Sequence, residues 1–428
     1  MLFNQTLTYI SLFSGAGVGC YGLLEEGFEC VATNEILEKR LNIQRINRKC
    51  KFDESYISGD IKKPATKEKI LKQIEFYSKK FGNDRVDLVI ATPPCQGMSV
   101  ANHKKKNDEI KRNSLVVESI DLIKQIKPRF FILENVPSFY KTGCIDKNDN
   151  LLEIGSMIEQ NLSGDYMLYD EVINFKNFGA NSSRTRTLVI GVCKEFKDFT
   201  SALEFFPDFK QEKTLKEVIG SLKPLSWGEY DSTDFYHSFR TYPKHMQEWI
   251  KDLKEGQSAF ENVQDAISDL AYLCSNEGAF ESDYLNPIQS SYQALMRKDS
   301  PKLYNHQATN HSQAALEKLK LINKEQGKEC LPKNLHGKQQ FKSTWGRLNW
   351  NKISPTIDTR FDTPSNGTNS HPKLHRSITP REAARIQNFS DNYIFYGNKT
   401  SVCKQIGNAV PPLLALALGK AILKNLRK

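Results

Sequence analysis

Short apolar runs alternate with amphipathic stretches through the first half of the chain. Five of these runs have the length and composition of buried strands, at residues 9–13, 30–33, 86–91, 130–133 and 188–192. The stretches between them have helical periodicity. Strands that alternate with helices at this spacing predict a parallel α/β sheet, and the ligands of such sheets bind beyond the carboxyl ends of the strands.

The hydrophobic pattern changes after residue 193. From residue 194 to residue 340, charged and aromatic residues mix irregularly between polar turns, which is typical of a second, more variable domain. Beyond it we predict a helix over residues 378–387, with Thr379 as its cap, Pro380 at the first helical position and an acid in the first turn. A last apolar helix, over residues 413–423, is expected to pack on the first sheet.

Length, charge and cysteine usage narrow the class of protein. A chain of 428 residues is long enough for two or three structural units. The formal net charge of +10 favours a polyanionic partner. The nine cysteines form no C-x-x-C pair, no basic-then-apolar leader follows Met1, and no apolar run approaches membrane-spanning length. We therefore expect a protein of the reducing cytoplasm with no membrane partner.

A glycine-rich turn follows the first predicted strand. Residues 12–19 read Leu-Phe-Ser-Gly-Ala-Gly-Val-Gly, and their glycines permit a tight turn that a ligand can approach closely. Such turns also bind nucleotides or merely pack, so the turn alone does not identify a ligand. Glu35 at the tip of the second strand is placed to accept hydrogen bonds from ribose hydroxyls, and Asp60 and Ile61 offer a third contact by the same logic.

Reactive side chains follow the next strands. The prolines at 93–94 stiffen a loop that holds the Cys95 thiol at the ligand-binding edge. Glu134 ends the following strand at the same edge, where a protonated carboxylic acid can donate to a ring nitrogen. Arg184 and Arg186 alternate as they enter another strand, so both point to one face. Each residue taken alone also fits a structural role.

Together and in this order, these segments resemble the motif set of the cytosine-5 DNA methyltransferase family. The resemblance rests on Phe13-x-Gly15-x-Gly17, Pro94-Cys95-Gln96, Glu134-Asn135-Val136, Arg184-x-Arg186, residues 381–387 and residues 405–412, with Arg347-Leu348, Trp350 and residues 354–357 between them. It covers most of the chain except residues 194–340, where family members differ according to the DNA they read. The sequence departs from the family at Ser11, where an acid is usual, and at Asn181-Ser182, where Pro-Gln is usual.

The resemblance gives the predicted domains their roles. It implies a Rossmann-like S-adenosylmethionine-dependent methyltransferase sheet with a second, smaller target-recognition domain. We therefore expect a catalytic and cofactor-binding domain at residues 1–193, a target-recognition domain at 194–375, and a carboxyl-terminal segment at 376–428 that returns to the catalytic domain.

The resemblance also implies a covalent mechanism. Cys95 adds to C6 of a cytosine, which makes C5 nucleophilic enough to take a methyl group from S-adenosylmethionine. Glu134 protonates N3, Arg186 binds the base O2, and Arg184 braces the acid or the nearby backbone. Because this chemistry cannot occur inside a stacked duplex, the cytosine must first be flipped out of double-stranded DNA.

Cofactor and DNA contacts follow from the same resemblance. The expected S-adenosylmethionine residues are Phe13, Gly15, Gly17, Glu35, Asp60, Ile61, Pro94, Asn408 and Val410. The expected DNA contacts are Gln96 and Ser99, together with Lys104, Lys105, Lys106 and Arg112 of a basic stretch that otherwise fits a solvated charged loop. We expect no metal, because His306 with His311 and His371 with His375 lack nearby cysteines or acidic partners.

Three other functions are compatible with parts of the pattern. A tRNA cytosine-5 methyltransferase shares the motifs, but that branch typically has a shorter middle region than this chain. A non-catalytic DNA-binding relative tends to lose the nucleophile or the acid, and both are present here. A nicotinamide-dependent dehydrogenase explains the glycine turn and Glu35 but not Cys95, Glu134 or the paired arginines.

The biological setting is predicted only by analogy with the family. Bacterial restriction-modification is the expected setting, with a restriction endonuclease as the corresponding partner, and a monomer is the default assembly. The DNA sequence that the protein recognises and the existence of a cognate nuclease do not follow from the chain.

Overall fold

A computed structural model of the chain describes residues 6–94, 113–196, 201–222, 224, 305–309, 311–322, 327–335, 343–391 and 393–426. All of these residues belong to one compact unit, which is made of residues 1–230 and 305–428. The domain boundaries expected after residues 193 and 375 stay a prediction.

A seven-stranded sheet forms the centre of this unit. Its strands are β1 (Thr8–Leu12), β2 (Glu29–Glu35), β3 (Tyr56–Ser58), β4 (Leu88–Ala91), β5 (Phe130–Asn135), β8 (Tyr166–Asn174) and β9 (Thr185–Cys193). They lie in the order β3-β2-β1-β4-β5-β9-β8. The first five are parallel, whereas β9 runs antiparallel to both β5 and β8. The predicted α/β sheet is confirmed, and all five predicted strands lie within it.

Two short sheets lie outside the main one. β6 (Gly143–Ile145) pairs antiparallel with β7 (Leu151–Glu153), and β10 (Gly346–Arg347) pairs parallel with β11 (Thr368–Ser370). The α-helices of the described residues are α1 (Tyr21–Glu25), α2 (Glu38–Ile46), α3 (Pro64–Phe81), α4 (Leu115–Ile126), α5 (Ile154–Leu162), α6 (Leu215–Ile219), α7 (Gln313–Leu321), α8 (Pro380–Ile386), α9 (Lys399–Gly407) and α10 (Pro412–Leu426).

The sheet is covered on both faces, because successive side chains of a strand point to opposite sides. In β1, Ile10 and Leu12 join a core cluster with residues of α3, α4 and α5. Tyr9 joins the opposite cluster, in which Leu414 and Leu418 of α10 are also buried. The prediction that the last apolar helix packs back on the first sheet is therefore confirmed.

The segment Lys399–Leu426 is long and apolar enough to cross a membrane by length and composition alone. Of the most apolar 18 consecutive residues in this segment, 67% are buried inside the protein. Its apolar side chains pack on the sheet in the core described above, which accounts for their hydrophobicity without a membrane.

The strand order creates a cleft between β1 and β4. From β1 the chain continues outward to β2 and β3 on one side, while β4 and β5 extend the sheet on the other side. At such a switch point the connections leave the two central strands in opposite directions, so a crevice opens beyond their carboxyl ends. The glycine turn follows β1 there, and the loop that leads to Cys95 follows β4.

Candidate active site

The glycine turn after β1 forms one wall of the crevice. Gly15 has a φ of +55°, and a Cβ added to it would meet no atom of the described residues within 4 Å. Gly17 has a φ of +85°, and its added Cβ would lie 2.6 Å from Cγ of Gln44. Both positions favour glycine, for different reasons. Gly15 leaves room for a ligand, whereas Gly17 lets α2 pack against the back of the turn.

Glu35 connects the glycine turn to the end of β2. Its buried carboxylate accepts hydrogen bonds from the Gly15 N–H at 2.9 Å, the Leu37 N–H at 3.1 Å and Nη1 of Arg40 at 3.2 Å. A carboxylate has further acceptor capacity, so these bonds orient the oxygens beside Gly15 without exhausting them. The neighbouring Ile36 is 60% exposed, which is unusual for an isoleucine directly after a buried strand.

Asp60 and Ile61 lie close to Glu35 because Asn34 holds the loop after β3. The Asn34 side-chain amide donates to the carbonyl oxygens of Ile57 at 3.0 Å and Gly59 at 3.1 Å. The Gly59 N–H donates to the Glu35 carbonyl oxygen at 3.2 Å. Two predicted cofactor segments therefore meet at one edge of the sheet.

The carboxyl-terminal segment reaches the same edge. Asn408 caps the end of α9, and a Cβ added to Gly19 would lie only 3.1 Å from Cβ of Val410. The hydroxyl of Tyr393 donates to the Ala16 carbonyl oxygen at 2.7 Å, which ties this segment to the glycine turn. Residues separated by almost the whole chain thus surround one turn.

The loop after β4 is held between the glycine turn and the acid motif. The Thr92 hydroxyl donates to the Phe13 carbonyl oxygen at 3.1 Å, and Nδ2 of Asn135 donates to the Pro93 carbonyl oxygen at 2.9 Å. Pro94 is the last described residue of this loop. The predicted nucleophile and DNA contacts lie outside the described residues, namely Cys95, Gln96, Ser99, Lys104, Lys105, Lys106 and Arg112.

Glu134 is a buried acid at the carboxyl end of β5. Burial raises the pKa of its carboxyl group, and the charges of Arg186 and Arg184 oppose that rise. Nε of Arg186 lies 3.2 Å from Oε1 of Glu134, yet within the described part of the chain Oε1 has no hydrogen-bond partner. A buried acid whose pKa is raised, and whose Oε1 makes no hydrogen bond among the described residues, is suited to donate to a ligand.

The arginine pair enters β9 with both side chains on the side of Glu134. Nη1 of Arg184 donates to the Gly407 carbonyl oxygen at 3.3 Å, at the end of α9. The Thr187 hydroxyl donates to the carbonyl oxygens of Val136 and Pro137, both at 3.1 Å, so the strand is fixed to the loop after Glu134. Arg184 thus links the acid to the segment that leads to Asn408.

Asn181 braces the arginine segment in place of the proline usual in the family. Its N–H donates to Oδ1 of Asn388 at 2.9 Å, and its Nδ2 donates to the Arg385 carbonyl oxygen at 2.8 Å. The Ser182 hydroxyl lies 3.5 Å from Oε1 of Gln387. A proline at this position would have no N–H to donate. The N–H and the side-chain amide of Asn181 therefore provide hydrogen bonds that fix the arginine segment to the end of α8.

The other departure, Ser11, is buried in the sheet. Its hydroxyl lies 3.2 Å from Sγ of Cys20, and only 1% of the residue is exposed. The side chain therefore fills an interior position rather than the open side of the glycine turn.

The segment around α8 is held by a buried ion pair. Thr379 and Glu382 form the predicted cap, and both carboxylate oxygens of Glu382 accept from the Arg376 guanidinium at 2.8 Å. Burial alone would raise the pKa of Glu382, but the charge and hydrogen bonds of Arg376 have the larger effect and lower that pKa to about 2. This start of α8 is confirmed as the sequence predicts it, and its charges are structural.

The four histidines considered as metal ligands have other contacts. His306 bonds Thr379, His311 bonds Ser377, and Nδ1 of His371 accepts from the backbone of Lys373 and Leu374. Nδ1 of His375 lies 3.3 Å from the Leu319 carbonyl oxygen. Among the residues that the structure describes, no three His, Cys, Asp or Glu side chains form a group able to hold a metal ion.

Sequence reasoning missed three buried polar residues behind the glycine turn, Thr33, Gln44 and Lys49. They belong to none of the motifs quoted above, because their spacing along the chain carries no chemical pattern. The only signal was a glutamine at an otherwise apolar helix position. Their contacts with the turn appear only once α2 is folded against it.

Comparison with known proteins identifies the family. Residues 7–424 match the family described as C-5 cytosine-specific DNA methylase. The chain is 28% identical to the type II methyltransferase M.DdeI of Desulfomicrobium norvegicum, over 97% of this chain and 88% of that protein. It is 25% identical to the type II methyltransferase M1.HphI of Haemophilus parahaemolyticus, over 99% of this chain and 88% of that protein.

Solved structures share the fold. A protein described as a DNA modification methyltransferase encoded within an E. coli prophage superposes with a TM-score of 0.60 at 23% identity. The match covers 99% of this chain and all of that one.

Proposed function

The chain belongs to the C-5 cytosine-specific DNA methylase family and is a DNA cytosine-5 methyltransferase, and from this premise we propose how its residues carry out the reaction. A cytosine is flipped out of duplex DNA into the crevice between β1 and β4. Cys95 attacks the base, Glu134 and the arginine pair stabilise it, and C5 receives the methyl group.

The burial of Glu134 beside the arginine pair, at the carboxyl end of β5, is the observation that carries this proposal. A surface carboxylate is ionised at neutral pH and only accepts hydrogen bonds. Burial raises the pKa of Glu134 against the pull of two arginines, and its Oε1 lacks a hydrogen bond among the described residues. In the proposal, this carboxyl group carries a proton when the base is bound and donates it to N3 of the cytosine.

The proposed reaction begins with covalent addition to C6 of the cytosine. The Cys95 thiolate forms a bond to C6 while Glu134 gives a proton to N3, so the ring becomes an enamine that is nucleophilic at C5. Arg186 donates to the base O2, where negative charge builds up during the addition. After C5 takes the methyl group, which leaves S-adenosylhomocysteine, a base removes the C5 proton and the C6–sulfur bond breaks to regenerate the thiolate. N3 returns its proton to Glu134, so the acid is also restored.

S-adenosylmethionine supplies the methyl group as an electrophile when it is bound. The fit is supported by the open space at Gly15 and by the oriented carboxylate of Glu35. In the proposal, Glu35 binds ribose hydroxyls, Asp60 binds the adenine amino group, and Asn408 with Val410 forms the far wall. Phe13, Gly17, Ile61 and Pro94 complete the expected lining.

We propose double-stranded DNA as the substrate and a restriction-modification or related defence role in the cytoplasm. The type II methyltransferases among the relatives support this role, and the net charge of +10 is in keeping with a polyanion. The basic residues Lys104, Lys105, Lys106 and Arg112 would hold phosphates beside the flipped base, together with Gln96 and Ser99. A cognate endonuclease and a monomeric state belong to the same proposal.

The first experiment measures methyl transfer. Purified protein is incubated with tritiated S-adenosylmethionine and unmethylated genomic DNA, with transfer RNA as a parallel substrate. We expect label on DNA, at C5 of cytosine in one sequence found by bisulfite sequencing, and none with Cys95→Ala. Label on RNA alone would contradict the DNA assignment.

A second experiment tests the covalent step. A DNA substrate with fluorine in place of the C5 hydrogen cannot lose that position as a proton, so the adduct should accumulate as a denaturation-resistant protein–DNA complex. Cys95→Ala should give no complex, while Cys193→Ala, at the opposite end of β9 from Arg186, should give the wild-type amount. Adduct formation by Cys95→Ala would exclude Cys95 as the nucleophile.

A further inference from the structure

Gln44 lies behind the glycine turn and uses all of its amide hydrogens on that turn. The residue is fully buried on α2. Its Nε2 donates to the Ser14 hydroxyl oxygen at 2.7 Å and to the Gly15 carbonyl oxygen at 2.7 Å. The Ser14 hydroxyl passes its own hydrogen to the Asn34 carbonyl oxygen at 3.1 Å. One side chain therefore fixes two consecutive residues of the turn.

The Gly15 residue is held from both sides. Its N–H donates to the Glu35 carboxylate at 2.9 Å, and its carbonyl oxygen accepts from Gln44. Gly15 is in the left-handed region, and in the part of the chain that the structure describes no atom lies within 4 Å of the position of a Cβ. A glycine in open space has access to many backbone conformations, so these two bonds select the one that is observed.

A relay of hydrogen bonds sets the orientation of the Gln44 amide. The Lys49 ammonium is only a donor, and its Nζ lies 3.0 Å from Oγ1 of Thr33. The Thr33 hydroxyl must then direct its single hydrogen onward, to Oε1 of Gln44 at 2.7 Å. With Oε1 committed to Thr33, Nε2 has to face Ser14 and Gly15.

We propose that Gln44, oriented by Thr33 and Lys49, is a positioning residue for S-adenosylmethionine. It holds the Gly15 carbonyl and the Ser14 hydroxyl so that the turn is already shaped for the ligand, and binding does not have to order it. The inference rests on the proposed function, because it takes the glycine turn as the S-adenosylmethionine site. It assigns Gln44 an effect on cofactor affinity and none on the methyl-transfer step.

Gln44→Met tests this role, because methionine has a similar length and no hydrogen-bonding amide. The matched control is Gln73→Met. Gln73 is also a buried glutamine on a helix, but its Nε2 bonds Ser55 at 3.0 Å and does not touch the turn. Binding of S-adenosylhomocysteine to the full chain is measured by calorimetry, and KM for S-adenosylmethionine and kcat are measured with DNA in excess.

We expect Gln44→Met to weaken S-adenosylhomocysteine binding by about 10-fold and to raise KM by a similar factor, with kcat within about twofold of wild type. Gln73→Met should change affinity by less than about twofold. Lys49→Met, which frees the Thr33 hydroxyl, should weaken binding in the same direction by about threefold, and it serves as the test if Gln44→Met does not fold.

The inference is overturned if Gln44→Met, or Lys49→Met in its place, binds like wild type. It is also overturned if Gln73→Met loses as much affinity, because the effect would then follow from any lost buried amide. A failure of the wild-type protein itself to bind S-adenosylhomocysteine would instead refute the proposed function, so the two failures are distinguishable.

Discussion

At the scale of single residues, the proposed site contains a carboxylic acid, Glu134, that the fold keeps out of water. Burial raises the pKa of Glu134, while Arg186 and Arg184 prevent a still larger rise. The two effects oppose each other, and in the proposed mechanism this balance lets the group give its proton to a bound base. Neither effect alone gives that balance: an exposed acid would be ionised, and a buried acid without arginines would be a poor donor.

Replacing Glu134 with glutamine should separate catalysis from folding. Glutamine keeps the shape of the side chain and can donate a hydrogen bond, but it cannot transfer a proton to N3. We expect kcat to fall by about 100-fold or more, in the range of a lost general acid. The free energy of unfolding at neutral pH should not decrease, because a buried ionisable group is replaced by a neutral one. Single-turnover methylation and urea denaturation measure the two quantities.

The wild-type rate should also report on the proton of Glu134. Because burial raises its pKa, the protonated form persists to a higher pH than in an exposed glutamate, and it is lost as the pH rises further. The single-turnover rate constant should therefore decline on the alkaline side, and Glu134→Gln should lack that decline. An identical alkaline decline in both proteins would assign it to another group.

At the scale of elements, the strands with buried, apolar sequences were predictable and the others were not. β5 is buried along its whole length, whereas β8 lies at the edge of the sheet and exposes Asp170, Glu171 and Val172. Its sequence does not alternate apolar and polar residues, so the hydrophobic pattern did not predict it as a strand. β3 has only three residues, too few for any period.

The placement of the candidate site residues was predictable only where they stand at the ends of predicted strands. Glu35, Glu134 and the arginine pair stand at strand ends, where position along the chain implies a place at the ligand-binding edge. Gln44 and Asn181 act through contacts with distant segments. Such contacts depend on how elements pack, which a single sequence does not encode in a local pattern.

The contact between Asn181 and Asn388 gives a prediction for the brace between the arginine segment and α8. Asn181→Pro removes the N–H that donates to Oδ1 of Asn388. It also removes the side-chain amide that donates to the Arg385 carbonyl oxygen. We expect the free energy of unfolding to fall by about 1–2 kcal/mol. Asn388→Gly removes only the acceptor, since a φ of 61° suits glycine, and should cost about 1 kcal/mol or less.

A double-mutant cycle by urea denaturation isolates the contact. In the Asn181→Pro background, Asn388→Gly should cost little, because its partner N–H is already gone. Strictly additive losses would show that the two residues do not act as a pair. Asn161→Ala, which removes an amide bond to the Met157 carbonyl oxygen within α5, provides the control for a lost amide.

At the scale of the whole molecule, the two ends of the chain build one site together. Tyr393 holds the glycine turn through Ala16. The Asn47 side chain donates to the Ile394 carbonyl oxygen at 3.0 Å and accepts from the Ile394 N–H at 3.1 Å. Arg184 reaches Gly407 in the same way. Loss of the carboxyl-terminal packing should therefore loosen the glycine turn and the arginine strand at once, although both are encoded in the first half of the sequence.

Two buried histidines in this carboxyl-terminal part set how stability depends on pH. Burial lowers the pKa of His311 and of His371 to about 4, and each uses a ring nitrogen to accept a backbone N–H. An unfolded histidine titrates near 6.5, so between these values the unfolded chain binds more protons. Stability from this source is complete above about pH 6.5 and is lost as the pH falls towards 4, by at most about 3 kcal/mol per histidine.

Urea denaturation between pH 7 and pH 4 tests this dependence, with glutamine in place of each histidine. Glutamine offers an acceptor oxygen but does not titrate, so His311→Gln and His371→Gln should each flatten the decline in the free energy of unfolding. His375→Gln is the matched control, because it makes the same substitution at an exposed position. Glu382, whose pKa is about 2, loses its charge only below the unfolded value near 4.3, so its contribution falls in a separate and more acidic range. A slope between pH 6.5 and pH 4 that survives in the double variant would place the titrating groups elsewhere in the chain.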